Sequence, residues 1–224
     1  MTTIISTGLR SALLATTVFC ATAFAAHAST MNLIVNGDFE AGNTGFTTDL
    51  VLGSGANTFL IADNPRDKNG AFASFGDNTT GFGNMMIVNG STISTTVAWS
   101  QTVAVNADTS YAFGGFLANA FPAAPASFDV RVNGVSVGSV TDTIETGIWD
   151  EFSFDWFSGS ETTAILELIE TSTGFGGNDY ALDDLSFTAT GVADPGPAPI
   201  PLPAGALLMG TALAGFGFMR RKPS

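Results

Sequence analysis

Cysteine and histidine are almost absent: the 224 residues hold one of each, Cys20 and His27, and both stand within the first 28 positions. Once such a leader is removed, no disulfide can form. Ser-His-Asp and Cys-His nucleophilic catalysis, histidine proton transfer and the usual zinc and copper ligand sets are excluded with it. Positive charge is scarce as well, with 7 Lys and Arg against 20 Asp and Glu and a formal net charge of −13. Between Thr30 and Thr190 the basic residues are Arg66, Lys68 and Arg131, whereas every acidic residue falls between Asp38 and Asp194. Nucleic acid binding rests on Lys and Arg neutralising phosphates, so a surface of this sign repels DNA and RNA. Divalent cations and neutral polymers such as sugars suit it better, and acidity also supplies solubility in a secreted or saline setting. Helical periodicity of useful length is missing between the two ends too.

The ends themselves differ from the middle. Arg10, an apolar run and Ala26-His27-Ala28 make a signal peptide, helical in its apolar part, over residues 1–28, cut between Ala28 and Ser29. A lipoprotein reading would acylate Cys20, but Val18 and bulky Phe19 precede it where small residues are needed. A Pro/Gly linker over 191–199 holds the chain extended as a short stalk. Beyond it come Ile200-Pro201-Leu202-Pro203-Ala204, an uncharged apolar run, and Arg220-Arg221-Lys222. A transmembrane helix over 204–219 would span roughly 24 Å, slightly under the bilayer core, with the basic cluster on the cytoplasmic side. Physics alone leaves a permanent tail anchor and a cleavable signal open.

The order of these C-terminal parts resembles the PEP-CTERM class of bacterial sorting signals, in its VPLPA-type variant. Pro201, Leu202, Pro203 and Ala204 match the motif, Ile200 replaces its usual valine, and Arg220, Arg221 and Lys222 form the basic end. The resemblance covers about the last 25 residues, 200–224. It implies export in a Gram-negative bacterium that makes exopolysaccharide, transient insertion in the inner membrane, and handling by an exosortase-type protease.

Residues 29–190 read as one all-β domain, because short alternating or β-branched runs are separated by Gly, Asn, Asp and Ser. The expected strands are Leu33–Val35, Thr58–Ala62, Ala71–Phe75, Met85–Val88, Ile93–Val105, Tyr111–Ala118, Ser127–Val132, Val135–Val140, Glu151–Phe157, Ala164–Glu170 and Tyr180–Ala189. Asn133-Gly134 between two alternating runs predicts a type I′ hairpin. Alternation places Phe152, Phe154 and Trp156 on one core face, Ile165, Glu167 and Ile169 on another, and Leu185 with Phe187 on a third. That many strands in this length suit a two-sheet jelly-roll β-sandwich.

Asn32-Leu-Ile-Val-Asn-Gly-Asp-Phe-Glu40, Trp99-Ser-Gln-Thr-Val before Tyr111, the Asn133-Gly134 hairpin, Trp149, and Tyr180-Ala-Leu-Asp-Asp-Leu-Ser-Phe187 resemble the galactose-binding-like jelly rolls, which include many carbohydrate-binding modules. The resemblance implies that the first and last strands lie close together and hold a structural calcium. Asp38 and Glu40 share a face, and the family pattern adds Asp183, placed by alternation with Leu185, or Asp184. Calcium asks only for converging carboxylate and carbonyl oxygens.

A sugar site needs aromatic faces and a few polar side chains. Trp99, Tyr111, Trp149 and Phe121 are the candidates, with Phe121 expected to be exposed because Pro122 and Pro125 keep its loop out of a strand. Phe82 and Phe175 lie in two Gly-Phe-Gly elements that glycine abundance explains. Glycoside hydrolysis runs on two carboxylates, for which Asp150-Glu151 with Asp155, or Asp183-Asp184, come into question. Strand neighbours point to opposite faces, so these pairs fail unless a bulge intervenes. The sequence therefore points to an exported, non-catalytic protein of the envelope, surface or extracellular matrix that associates with extracellular polysaccharide. The alternatives are a purely structural envelope or biofilm protein without a glycan site and, third, a carboxylate-based glycoside hydrolase or lyase.

Overall fold

The computed structural model describes residues 31–174 and 176–192. The expected signal peptide with its Ala28–Ser29 junction, most of the linker and the 200–224 sorting signal lie outside the described residues. Among the described residues no helix is long and apolar enough to cross a membrane.

Ten strands form: β1 (Val51–Leu52), β2 (Thr58–Ala62), β3 (Met85–Asn89), β4 (Val97–Ala104), β5 (Thr109–Asn119), β6 (Ser127–Val132), β7 (Val135–Thr141), β8 (Trp149–Phe157), β9 (Thr163–Glu170) and β10 (Tyr180–Val192). They build a six-stranded sheet in the order β1-β2-β3-β10-β5-β8 and a four-stranded sheet in the order β4-β9-β6-β7. The fold is the all-β, jelly-roll sandwich that the alternation predicts. Its core is the interdigitated inner faces, where Trp99, Tyr111, Phe113, Phe128, Tyr180 and Phe187 are all buried. Tyr111 stacks on Phe187 at 4.9 Å, and Phe128 meets Tyr180 edge-on at 4.8 Å. Each such side chain withdraws enough apolar surface to contribute roughly 1.5–3 kcal/mol.

The hairpin forms as expected: Asn133 and Gly134, at φ 52° and 75°, join β6 to β7. Phe152, Phe154 and Trp156 do pack on the core. On β9 the buried side is instead Ala164, Leu166 and Leu168, while Ile165 is 44% exposed. Two apolar sets compete on that strand, and the sheet takes the one that places three aliphatic side chains inside.

Two expected strands are absent. Leu33–Val35 runs beside β10 but is held mainly by one side chain: Asn32 Oδ1 accepts the Phe187 N–H and Asn32 Nδ2 donates to Leu185 O. The Leu33 N–H adds a bond to Phe187 O at 2.9 Å. The first segment and the last strand are therefore neighbours, as the jelly-roll resemblance implies. Ala71–Phe75 belongs to the long β2–β3 connection, which lies over the outer face of the large sheet. There Phe72 joins Met85, Ile87, Ala120 and Ala181 in a second, smaller core. That connection also contains α1 (Pro65–Lys68), a single turn capped by Asn64, whose side chain accepts the Arg66 N–H. Ile93–Thr96 is a turn ahead of β4, and β10 runs two residues into the expected linker, pairing Gly191 with Ser110 and Val192 with Thr109.

A bulge interrupts β10 between Asp183 and Ser186, with Asp184 in the left-handed region at φ 48°. Alternation through Asp183 to Leu185 is thereby broken. Leu185 enters the core, whereas Asp183 faces the covering segment.

Candidate functional site

The bulge has a chemical effect, since it turns both neighbouring carboxylates toward the 77–84 loop. Asp183 Oδ2 accepts the Asn78 N–H at 2.8 Å, while Asp184 Oδ2 accepts Asn78 Nδ2 and the Thr79 hydroxyl. Asp77 accepts from Thr80 N, the Thr80 hydroxyl and Gly83 N, and Glu40 Oε1 accepts from Asn84 N. A Cβ at Gly83 would collide with Glu40 Oε1 and sit 2.9 Å from Asp77 Oδ2, so this glycine lets two acidic side chains close on the loop. Asp38 stays apart: it is exposed, and its Oδ1 accepts the Glu40 N–H. Asp77, for which the sequence carries no signal, takes its place.

The electrostatics of this corner are one-sided. Burial, aggravated by Asp184 and Asp77, pushes the Asp183 carboxyl up to about 7. Burial would also raise Asp77, but the donors from Gly83 and Thr80 outweigh it and hold that carboxyl below its ordinary value. Ligand oxygens of the hard type that calcium takes are present, with an excess of negative charge that a cation would relieve. They are spread along the loop rather than drawn to one point, and no three acidic side chains among the described residues converge as a metal-binding group.

Of the four aromatic candidates, two are in the core. Trp99 is 0% exposed and packs against Phe113; Tyr111 is 1% exposed, its ring on Phe187 and its hydroxyl accepting the Asn106 N–H. Both face inward because their strands alternate that way, so neither offers a ring to a ligand. Trp149 is half-buried, edge-on to Phe75 at 5.8 Å, with its indole N–H donating to Gly76 O. Phe121 is half-buried and lines a cleft. It lies 6.4 Å from the buried Phe72, and together they line a cavity of about 260 Å³ at the end of the sandwich where β3 and β5 stop and β10 begins. Asn69, Asn89, Asn178 and Asp179 supply the polar lining.

Around that end of the fold, acidic groups are buried. Glu170 accepts the Tyr180 hydroxyl at 2.6 Å and the Ser91 N–H at 2.9 Å, and burial pushes it up to about 7. Asp179 is raised to about 6 by burial, eased by the Gly90 N–H and the Lys68 ammonium. Asp142, also pushed up to about 7 by burial, accepts the Ala126 N–H through Oδ1, and its Oδ2 is buried without a partner. None of the three was visible in the sequence as a site, because strand-end acids there look like exposed caps.

No protein-family model and no curated protein sequence matches the chain. Among solved structures it is similar to the Stig cyclase Fisc from Fischerella sp. TAU, at 13% identity and TM-score 0.53, over 73% of this chain and 100% of that one. It is also similar to the CBM22-1-CBM22-2 tandem domain of Xyn10C from Paenibacillus barcinonensis, at 16% identity and TM-score 0.50, over 78% of this chain and 50% of that one. A family 16 carbohydrate-binding module gives 18% identity and TM-score 0.42. At these identities the likeness is one of fold, and this fold hosts both an enzyme and binding modules.

Proposed function

We propose that this is an exported, non-catalytic domain that binds polysaccharide through the cleft at the end of the sandwich. The observation that carries the reading is the half-buried ring of Phe121, backed by the buried Phe72, beside the side-chain amides of Asn69 and Asn89 in one cavity. Aromatic faces stack on the C–H surface of a sugar ring while amides bond its hydroxyls. The carbohydrate-binding modules among the structural neighbours are consistent with it. Catalysis fits the cleft poorly, since Asp179 is its one lining carboxylate among the described residues and hydrolysis of a glycosidic bond uses two.

Binding of the full chain to a glycan array, followed by titration of the best ligand, tests the reading. Phe121→Ala should weaken that ligand roughly ten-fold while leaving the melting temperature within about 2 °C, because the ring is only half-buried. An array without any selective ligand would favour the purely structural surface protein, and turnover of a bound glycan would make it an enzyme.

The proposal keeps a structural calcium, for which Glu40, Asp77, Asp183 and Asp184 would have to give up their present bonds to the 77–84 loop and draw together. Bound there, the ion would neutralise the excess charge and tie the first segment, the 77–84 loop and β10 together. Export through the 1–28 signal peptide and sorting through 200–224 by an exosortase-type protease complete the reading. Mass spectrometry of the protein from cells should show a chain that starts at Ser29 and ends near Pro201–Ala204. A C-terminus intact to Ser224 would leave only a tail anchor.

A further inference from the structure

Asp179 lines the cleft yet is only 5% exposed, and its Oδ1 accepts the Gly90 N–H at 3.0 Å while its second oxygen accepts no hydrogen bond among the described residues. The ion pair found among the described residues is Arg131–Asp129, so no cation lies within bonding distance of Asp179. The nearest cationic side chain acting on it, Lys68, is 5% exposed and spends its ammonium on Gly55 O and the Thr58 hydroxyl. A buried carboxylate with one hydrogen bond and no ion pair is costly to fold around, and that cost persists where a ligand supplies the missing charge. Beside it stands the half-buried ring of Phe121, backed by the buried Phe72. A carboxylate with aromatic faces is the arrangement that attracts an organic ammonium, through an ion pair and cation–π contact together. A metal ion would want several charged hard oxygens, whereas this cleft offers a single carboxylate among neutral amides. Its volume, about 260 Å³, lies at the small end for ligand sites and suits a single sugar residue.

We infer that the cleft recognises an amine-bearing sugar, a 2-amino-2-deoxyhexose unit with a free ammonium, with Asp179 receiving the ammonium and Phe121 covering the ring. This rests on the polysaccharide reading and narrows it to cationic glycans; uronic acid polymers are repelled by the same carboxylate.

Calorimetric titration of the full chain at pH 6.5, where the sugar amine is charged and Asp179 is mostly ionised, with glucosamine oligomers, the same oligomers N-acetylated, and oligouronates tests this. The free-amine oligomer should bind at least ten-fold tighter than the acetylated one, with no binding of the uronate. Asp179→Asn should erase that preference, and its circular dichroism spectrum and melting temperature report whether it folds. Should it fail to fold, the N-acetylation comparison on the unaltered chain decides alone. Equal or tighter binding of acetylated oligomers overturns the ammonium assignment but leaves the polysaccharide reading standing, whereas binding of none of these or any other glycan overturns both.

Discussion

Raising the pH from 5 to 8 is expected to lower the melting temperature by roughly 10 °C, and Asp142→Asn to remove a large share of that loss. Burial holds Glu170, Asp142 and Asp179 at about 7, 7 and 6, against ordinary values of 4.5, 3.8 and 3.8. The folded chain thus keeps protons between about pH 4 and 7 that the unfolded chain has released. Unfolding in that window releases protons, so stability falls as pH rises through it and is highest on the acidic side. Holding a carboxyl one pH unit above its ordinary value corresponds to about 1.4 kcal/mol, and relaxation around buried charges reduces the realised total to a few kcal/mol. Asp142 is the cleanest place to test this. Its Oδ1 bond to the Ala126 N–H survives in asparagine, and the new amide nitrogen takes the position of an oxygen that accepts nothing. At pH 8 the variant should be more stable by about 1–3 kcal/mol, and near pH 5 by no more than a few tenths. Thermal melts of both chains at the two pH values check it, and identical slopes would refute the assignment.

Calcium is expected to have an effect of similar size. An ion that binds only the folded state, present at a hundred times its dissociation constant, adds about 2.7 kcal/mol. For a domain of this length that is roughly 5–10 °C between excess calcium and excess chelator. Glu40→Gln should shrink the response while leaving the chelated melting temperature within about 2 °C, because glutamine keeps an acceptor for the Asn84 N–H. A melting temperature indifferent to chelator would rule out a structural ion.

Period-two alternation made the strands and the hairpin legible, and Ser127–Val132 was readable to the residue. Alternation fails wherever the backbone departs from it. The bulge at Asp184 is invisible in Leu-Asp-Asp-Leu, yet it decides that Asp183 and Asp184 serve one loop instead of opposite faces. The helix α1 did leave a signal, Asn64 followed by Pro65, a cap and a first-turn proline that one turn of helix does not reinforce with any periodicity. Of the site, Phe121 was legible from its proline-containing loop. Trp99 and Tyr111 were not separable from it, because an inward and an outward aromatic look alike until the sheet chooses its face. Asp179 and Asp142 could not be read at all, since their burial comes from loops distant in sequence.

The position of β10 also governs how the domain bears load. It lies in the interior of the six-stranded sheet, paired with β5 from Tyr180–Asn119 to Val192–Thr109 and with β3 on its other side. Tension applied at Val192 runs along the strand and loads the long β5 ladder in shear, with the β3 pairs at Tyr180–Leu182 holding the far end. Were the domain held by its C-terminal end, as proposed, the pull would enter through a strand paired on both sides rather than through an edge.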